Sequence, residues 1–135
     1  MGSPPGEIKL AEAVYLDHRD YYAYFSTPDF VWNRRTYKNH NTLLKDVEGV
    51  DGIKTGYTNA SGYNLMASAE RDGMRVISVV LGTGSDKARI DGSQALISYG
   101  FRFFETRLLY EAGEGLRFDE VSARAGVAGI LRVMH

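Results

Sequence analysis

The sequence contains no cysteine, and this absence removes several kinds of chemistry at once. Disulfide bonds, thiolate zinc sites, iron–sulfur clusters and cysteine nucleophiles are all excluded. Covalent catalysis by this chain would therefore need a serine, threonine, lysine, tyrosine or carboxylate side chain. The absence of cysteine does not determine the redox compartment, because it is compatible with both an oxidising and a reducing one.

The sequence also lacks an excess of positive charge and a long apolar segment. Sixteen Lys and Arg residues stand against seventeen Asp and Glu residues, which gives a formal net charge of −1. A chain without a basic excess is a poor partner for the phosphates of nucleic acids. The longest strongly apolar stretch, Val76 to Leu81, is far shorter than the roughly 20 residues that span a bilayer, so we expect no transmembrane segment.

The length of 135 residues suits one domain. We predict that residues 1–110 form one folded unit and that residues 111–135 are a weakly structured tail, because Gly126 and Gly129 interrupt the apolar residues there. The opening residues Met-Gly-Ser-Pro-Pro-Gly lack the basic and apolar regions of a secretory signal, so we expect no signal peptide in this chain.

Hydrophobic periodicity and turn residues predict a mixture of helices and strands. Asp72-Gly73 is a strong hairpin-turn signal, and Ser85 or Asp86 can cap the helix that follows. The aromatic run Tyr21 to Phe25 is interpreted as core packing. The predicted elements are a helix from Glu7 to about Arg19, a short hairpin over Phe30 to Lys38, strands over Val50–Thr55, Asn64–Glu70 and Met74–Leu81, and a helix from Asp86 to about Tyr99.

The last two predicted strands are apolar on both faces. In the second of them, Val76 and Val80 point to one side, while Ile77 and Val79 point to the other. A sheet of this kind needs helices on both sides. We therefore predict an α/β fold, of the α+β type, in which helices cover an antiparallel sheet of three main strands.

The tripeptide Lys54-Thr55-Gly56 is the motif with the clearest chemistry. An ammonium and a hydroxyl on an edge strand can hold a substrate carboxylate, and glycine lets an extended substrate backbone lie close to the strand. K-T-G accompanies S-x-x-K and S-D-N in penicillin-binding proteins and class A β-lactamases. The tripeptide alone also fits an ordinary exposed strand end.

Two other motifs are weaker candidates. The glycine-rich segment from Gly82 to Lys87 lacks the ending and spacing of a phosphate-binding loop, so we interpret it as a strand-to-helix connection. His18 and His40 have no partners at metal-ligand spacing. The sequence therefore predicts no cofactor and no metal site.

Four ordered segments closely resemble the low-molecular-mass D-alanyl-D-alanine carboxypeptidases. They are Tyr21–Ser26, Asn39–Asn41, Val47–Leu65 and Tyr99–Thr106, and the likeness extends from roughly Ala11 to Glu114. The resemblance implies part of a β-lactamase/transpeptidase-like fold. It also implies a serine peptidase of peptidoglycan D-Ala-D-Ala peptides that β-lactams acylate, located in the periplasm or on the outer face of the cytoplasmic membrane.

The resemblance also implies roles for individual residues. Lys54 and Thr55 would contact the substrate carboxylate, Gly56 would let the substrate strand dock, and the backbone N–H of Tyr57 would donate to the oxyanion. An additional arginine often helps to bind the carboxylate in such enzymes, and either Arg75 or Arg89 could serve.

The sequence departs from the family pattern in its catalytic serine. None of the nine serines is followed three residues later by lysine, and none is followed two residues later by asparagine. We therefore expect a C-terminal portion of the catalytic domain that lacks the nucleophile and base residues, is inactive alone and leaves one sheet face partly uncovered. The alternatives are a non-catalytic module that binds muropeptides or a protein partner, and a truncated inactive product.

Overall fold

The computed structural model describes residues 4–104, together with the backbone of residues 118–124 and 128–134. The helices of this part of the chain are α1 (Pro4–Asp17), α2 (Arg19–Tyr22), α3 (Leu43–Asp46) and α4 (Asp86–Phe103), with a 3-10 turn over Ala23–Ser26. The strands are β1 (Asp29–Trp32), β2 (Arg35–Lys38), β3 (Val50–Thr58), β4 (Gly62–Arg71), β5 (Met74–Thr83), β6 (Phe118–Arg124) and β7 (Ala128–Met134).

Two antiparallel sheets organise these strands. A five-stranded sheet has the order β3-β4-β5-β7-β6, and a separate two-stranded sheet consists of β1 and β2. The α+β class with an antiparallel sheet is as predicted, but the main sheet has two more strands than expected. Both come from the segment expected to be weakly structured, and that expectation is wrong for residues 118–124 and 128–134. Residues 111–117, 125–127 and 135 lie outside the described part.

The additional strands were missed because their order comes from distant pairing. β7 pairs with β5 over a register that runs from Arg75 opposite Met134 to Val80 opposite Gly129. No local period in the glycine-interrupted tail signals this partner. The pairing places the tail strands in the same sheet as β3, β4 and β5.

Tight turns join two of the hairpins. Asp72 and Gly73, with φ angles of 50° and 78°, connect β4 to β5, which confirms the predicted Asp-Gly turn. Asn33 and Arg34, with φ angles of 49° and 61°, connect β1 to β2. Two successive positive φ angles define the turn geometry that matches the twist of a two-residue hairpin, and Arg34 adopts it without being glycine.

The core lies on both sides of the main sheet. On one face, α4 packs against Leu65, Val76 and Val80. On the other face, α1 covers Ile77 and Val79. Helices therefore cover both faces, as predicted. The expected uncovered face is not found on β5, because these four β5 side chains are at most 1% exposed.

Six of the ten large apolar side chains that are exposed in the described part of the chain lie between residues 21 and 37. Tyr21 and Tyr24 are 66% and 72% exposed, so the interpretation of the aromatic run as core packing is wrong for these two rings. Tyr22 alone of the three tyrosines in the run is buried, against Tyr15 and Phe25.

Helix α4 begins at the predicted cap. The Ser85 hydroxyl accepts a hydrogen bond from the backbone N–H of Ala88 at 3.0 Å, which selects Ser85 over Asp86 as the N-cap. None of the helices in the described part of the chain has both the length and the apolar character that a bilayer-spanning helix requires.

Candidate functional site

The K-T-G tripeptide lies on the edge of the main sheet. Lys54, Thr55 and Gly56 pair with Met66, Leu65 and Asn64 of β4, and among the described strands β3 has no partner on its other side. The sequence predicted a strand that ends at Thr55. The strand in fact continues to Thr58, so the tripeptide lies within β3 and not at its end. An unpaired strand edge can accept an extended peptide as an additional strand.

Lys54 is exposed on this edge and Thr55 is half-buried. The Lys54 ammonium donates a hydrogen bond to the carbonyl oxygen of Thr55. The ammonium and the hydroxyl of Thr55 therefore lie in one short stretch of the edge strand, where a carboxylate could be held by charge and by hydrogen bonds.

An aromatic pair follows the tripeptide. The ring of Tyr57, about half exposed, lies 4.3 Å from the ring of Tyr63, centroid to centroid. The Tyr57 hydroxyl donates to Oδ1 of Asn59 at 2.7 Å. These contacts fix the side chain of Tyr57, while the oxyanion role of its backbone N–H stays a prediction.

Arg89 is the arginine that the structure brings to the tripeptide. It is buried in α4, and its Nη1 donates to the carbonyl oxygens of Gly56 and Asn64, both at 3.2 Å. Its Nε donates to Oδ1 of Asp86 at 2.7 Å. One guanidinium thus ties the N-terminal turn of α4 to both strands of the hairpin that carries K-T-G.

Arg75, the other candidate, is buried itself but belongs to a separate, partly buried cluster. Its two terminal nitrogens donate to the carboxylate oxygens of Asp51, each at 2.9 Å, and it also bonds Ser68 and Glu70, both at 2.7 Å. The guanidinium lies 3.9 Å from the centre of the Tyr15 ring. None of these partners belongs to K-T-G, so the structure does not bring Arg75 to the tripeptide.

The ionisation of the cluster follows from its burial and its charge pair. Burial by itself lowers the pKa of Arg75, but the hydrogen bonds and charge of Asp51 outweigh it and raise that pKa above its ordinary range. Burial raises the pKa of the Tyr22 hydroxyl well above its ordinary value. The Tyr22 hydroxyl donates to Asp51 at 3.3 Å, so it stays neutral beside the carboxylate at neutral pH.

Two buried asparagines, one bonded to β5 and one to β3, were not identified as site residues from the sequence. Asn64 accepts a hydrogen bond from the backbone N–H of Gly82 at 2.8 Å. Asn41 donates to the carbonyl oxygen of Gly52, two residues before Lys54, at 3.0 Å. Asn41 lies in a segment that carried the family resemblance, and that was the only signal for it.

The glycine-rich segment and the histidines are the weaker candidates from the sequence. The residues from Gly82 to Lys87 connect β5 to α4, as interpreted. Within the described residues, no group of three or more His, Asp or Glu side chains is arranged to hold a metal ion.

Comparison with known proteins identifies the family. The sequence profile of a family described as D-alanyl-D-alanine carboxypeptidase matches residues 8–85. The chain belongs to the D-alanyl-D-alanine carboxypeptidase family. The resemblance stated from the sequence is therefore confirmed.

This member of the D-alanyl-D-alanine carboxypeptidase family is similar to curated relatives over most of its own length. It is 45% identical to DacC of Escherichia coli strain K12 over 98 residues, which are 72% of this chain and 24% of that protein. It is 43% identical to DacA of Haemophilus influenzae over 110 residues, 80% of this chain and 28% of that protein. The chain spans about a quarter of the length of these curated relatives.

Solved structures of penicillin-binding proteins share the fold. Penicillin-binding protein 5 from Haemophilus influenzae superposes with a TM-score of 0.66 and 33% identity, covering 83% of this chain and 30% of that one. Penicillin-binding protein D2 from Listeria monocytogenes, in its cefotaxime-bound form, superposes with a TM-score of 0.65 and 33% sequence identity. The match covers 69% of this chain and 38% of that one. The fold is thus the expected helix-covered antiparallel sheet, matched over part of these domains.

Proposed function

We propose that this chain supplies the carboxylate-binding strand of a serine-type D-Ala-D-Ala carboxypeptidase that acts on peptidoglycan stem peptides. The observation that supports this most is the position of Lys54-Thr55-Gly56 on the edge of β3 that has no partner among the described strands, backed by Arg89. A stem peptide would lie along this edge, with its terminal carboxylate held by Lys54 and Thr55. Gly56 would leave room for the peptide backbone.

The chemical step divides between this chain and a nucleophile that its sequence does not contain. In such an enzyme a serine attacks the carbonyl carbon of the D-Ala-D-Ala bond, the terminal D-Ala leaves, and water releases the acyl group. Tyr57 would contribute its backbone N–H to the oxyanion of the tetrahedral intermediate. Because no serine here has a lysine three residues on, we assign the chain substrate binding and not nucleophilic attack.

Arg89 fits the carboxylate site better than Arg75. Both guanidinium groups are paired with carboxylates, but that of Arg89 also lies at the Gly56 carbonyl, whereas that of Arg75 bonds Asp51 and Glu70 and contacts no residue of K-T-G. We propose that Arg89, whose charge is paired with Asp86, holds the K-T-G strand in position. A β-lactam, which imitates the substrate, would bind along the same strand. The site of action would be the periplasm or the outer face of the cytoplasmic membrane.

A peptide titration tests the binding role. A 15N-labelled sample of the chain is titrated with a diacetylated Lys-D-Ala-D-Ala tripeptide, and we expect chemical-shift changes concentrated on β3. Lys54→Gln should abolish these changes, while Lys45→Gln, at an exposed position on α3, should preserve them. Equal binding by both variants would contradict the proposal.

The lack of a nucleophile favours one second candidate, a non-catalytic module that binds muropeptides through the same edge. Incubation with a fluorescent penicillin addresses the nucleophile directly. We expect no covalent label on the chain, and covalent labelling would contradict the assignment of binding without attack. The two functions separate in a complete enzyme: a chimera that carries this chain should be acylated by penicillin if the chain is part of a catalytic domain, and should stay unlabelled if it is a binding module alone.

A further inference from the structure

The hairpin of β1 and β2 presents an aromatic face that nothing in the proposed function uses. Directly paired residues share a face, and so do residues two apart along a strand. Phe30 pairs with Tyr37 and Trp32 pairs with Arg35, so these four side chains lie on one face. We call this face, Phe30, Trp32, Arg35 and Tyr37, the aromatic face of the hairpin.

All three rings are open to solvent. Phe30, Trp32 and Tyr37 are 59%, 67% and 41% exposed, and the rings of Phe30 and Tyr37 stack at 5.2 Å with 16° between their planes. Within the described residues, β1 and β2 pair only with each other. Exposed apolar rings that lie together on one face often mark an interaction surface.

The hairpin is attached to the strand that carries K-T-G. The Asn39 amide donates to the carbonyl oxygens of Phe25 and Thr27, at 3.2 and 3.1 Å, which closes the base of the hairpin. Asn41, two residues further on, donates to Gly52 of β3. The aromatic face is therefore held on the same framework as the candidate peptide-binding edge.

The chemistry of the aromatic face fits a carbohydrate. Apolar rings can pack against the C–H face of a sugar, and the five donors of the Arg35 guanidinium can bond its hydroxyl and acetamido oxygens. The hairpin also carries a local positive charge, with Arg34, Arg35 and Lys38 against Asp29. This charge is complementary to the carboxylates of a peptide-bearing glycan.

We propose that the aromatic face binds the glycan strand of peptidoglycan, a chain of β-linked N-acetylated amino sugars, while β3 binds the peptide attached to it. The inference rests on the proposed function, because that function supplies the polymer. The inference extends the proposed function by assigning a second subsite for the sugar portion of the polymer. Such a subsite would favour polymeric substrate over free peptide.

Trp32 gives a direct readout, since it is the only tryptophan in the sequence. We titrate the chain with chitotetraose, an uncharged β-linked tetramer of N-acetylglucosamine. The expected result is a blue shift of the tryptophan emission and weaker quenching by acrylamide. Phe30→Ala should weaken binding by roughly threefold to tenfold, the loss expected for one aromatic contact.

Val31→Ala is the matched control, because Val31 is 70% exposed on the opposite face of the same strand. Its affinity for chitotetraose should be unchanged. Equal weakening by Phe30→Ala and Val31→Ala would overturn the proposal. So would a tryptophan response to phosphatidylglycerol vesicles with none to chitotetraose, which would indicate a lipid surface instead.

The Lys54→Gln variant separates this inference from the proposed function. It should lose the D-Ala-D-Ala tripeptide and keep the full response to chitotetraose. If wild-type chain binds the tripeptide but not chitotetraose, the glycan subsite is wrong and the proposed function stands. If it binds chitotetraose but not the tripeptide, the peptide-binding role fails while the aromatic face is a sugar site.

Discussion

The guanidinium of Arg89 donates a hydrogen bond to the carbonyl oxygen of Gly56 at 3.2 Å, so a buried residue of α4 holds the backbone of the K-T-G strand. The same nitrogen reaches the carbonyl oxygen of Asn64 on the neighbouring strand. This contact ties the candidate substrate edge to the hydrophobic core. We therefore expect α4, which lies outside the edge, to influence the geometry of that edge.

Replacement of Arg89 by lysine should weaken both folding and peptide binding. A single ammonium cannot reproduce the forked donors that reach two carbonyl oxygens and Asp86 at once. We expect a loss of about 1–3 kcal/mol in the free energy of unfolding, measured by urea denaturation. Arg102→Lys, at an exposed position in the last turn of α4, should change it by less than about 0.5 kcal/mol. Similar losses in the two variants would contradict the positioning role.

Removal of the Asp51 charge should lower the free energy of unfolding more than removal of a surface charge. Asp51→Asn leaves the buried Arg75 guanidinium without its two-oxygen partner. We expect about 2–4 kcal/mol of destabilisation in urea. The control is Asp91→Asn, because Asp91 and its partner Lys87 are both exposed and such pairs contribute roughly 0–1 kcal/mol. A smaller effect of Asp51→Asn than of Asp91→Asn would show that the cluster is not structurally important.

The stability of the chain should fall at high pH through Tyr22. Burial raises the pKa of its hydroxyl above the ordinary value of 10.0, so above pH 10 the unfolded state loses a proton that the folded state keeps. The stabilisation that the neutral Tyr22 hydroxyl contributes is fully present below pH 10. It is lost as the pH rises through the folded-state pKa. Urea denaturation between pH 8 and pH 11 measures it. Tyr22→Phe should show a shallower decline above pH 10, and an unchanged slope would contradict this account.

The turn between β1 and β2 offers a stabilising substitution. Arg34 has a φ of 61°, a conformation that costs a residue with a side chain roughly 1–2 kcal/mol and glycine almost nothing. Arg34→Gly should therefore slow amide hydrogen exchange within the hairpin by about fivefold or more. Arg35→Gly, at a strand position, should accelerate exchange. Faster exchange in Arg34→Gly would show that the positive φ carries no strain.

Local features were predictable from the sequence because their causes are local. The Asp72-Gly73 turn and the Ser85 cap each depend on residues within a few positions of one another, and both are as predicted. The alternation of Val76 and Ile77 along β5 was enough to predict helices on both faces.

Features that depend on distant contacts were not predictable in this way. β7 is ordered by its pairing with β5, whose paired residues lie 49 to 59 positions earlier in the sequence. Arg89 differs from Arg75 only through partners that the fold supplies, Gly56 for one and Asp51 for the other. The exposure of Tyr21 and Tyr24 depends likewise on which surfaces the rest of the chain covers.

The most direct test of the central claim is penicillin acylation in a complete enzyme that carries this chain. The matched segment of Escherichia coli DacC is replaced by the corresponding residues of this chain, and the rate of labelling by a fluorescent penicillin is measured. The account predicts that the chimera is labelled. It also predicts that Lys54→Gln in the chimera reduces the labelling rate by roughly tenfold to a hundredfold, the effect of losing a charged hydrogen bond, while Lys45→Gln leaves it unchanged. Equal labelling rates for the Lys54→Gln and Lys45→Gln chimeras would contradict the claim that this strand holds the substrate carboxylate.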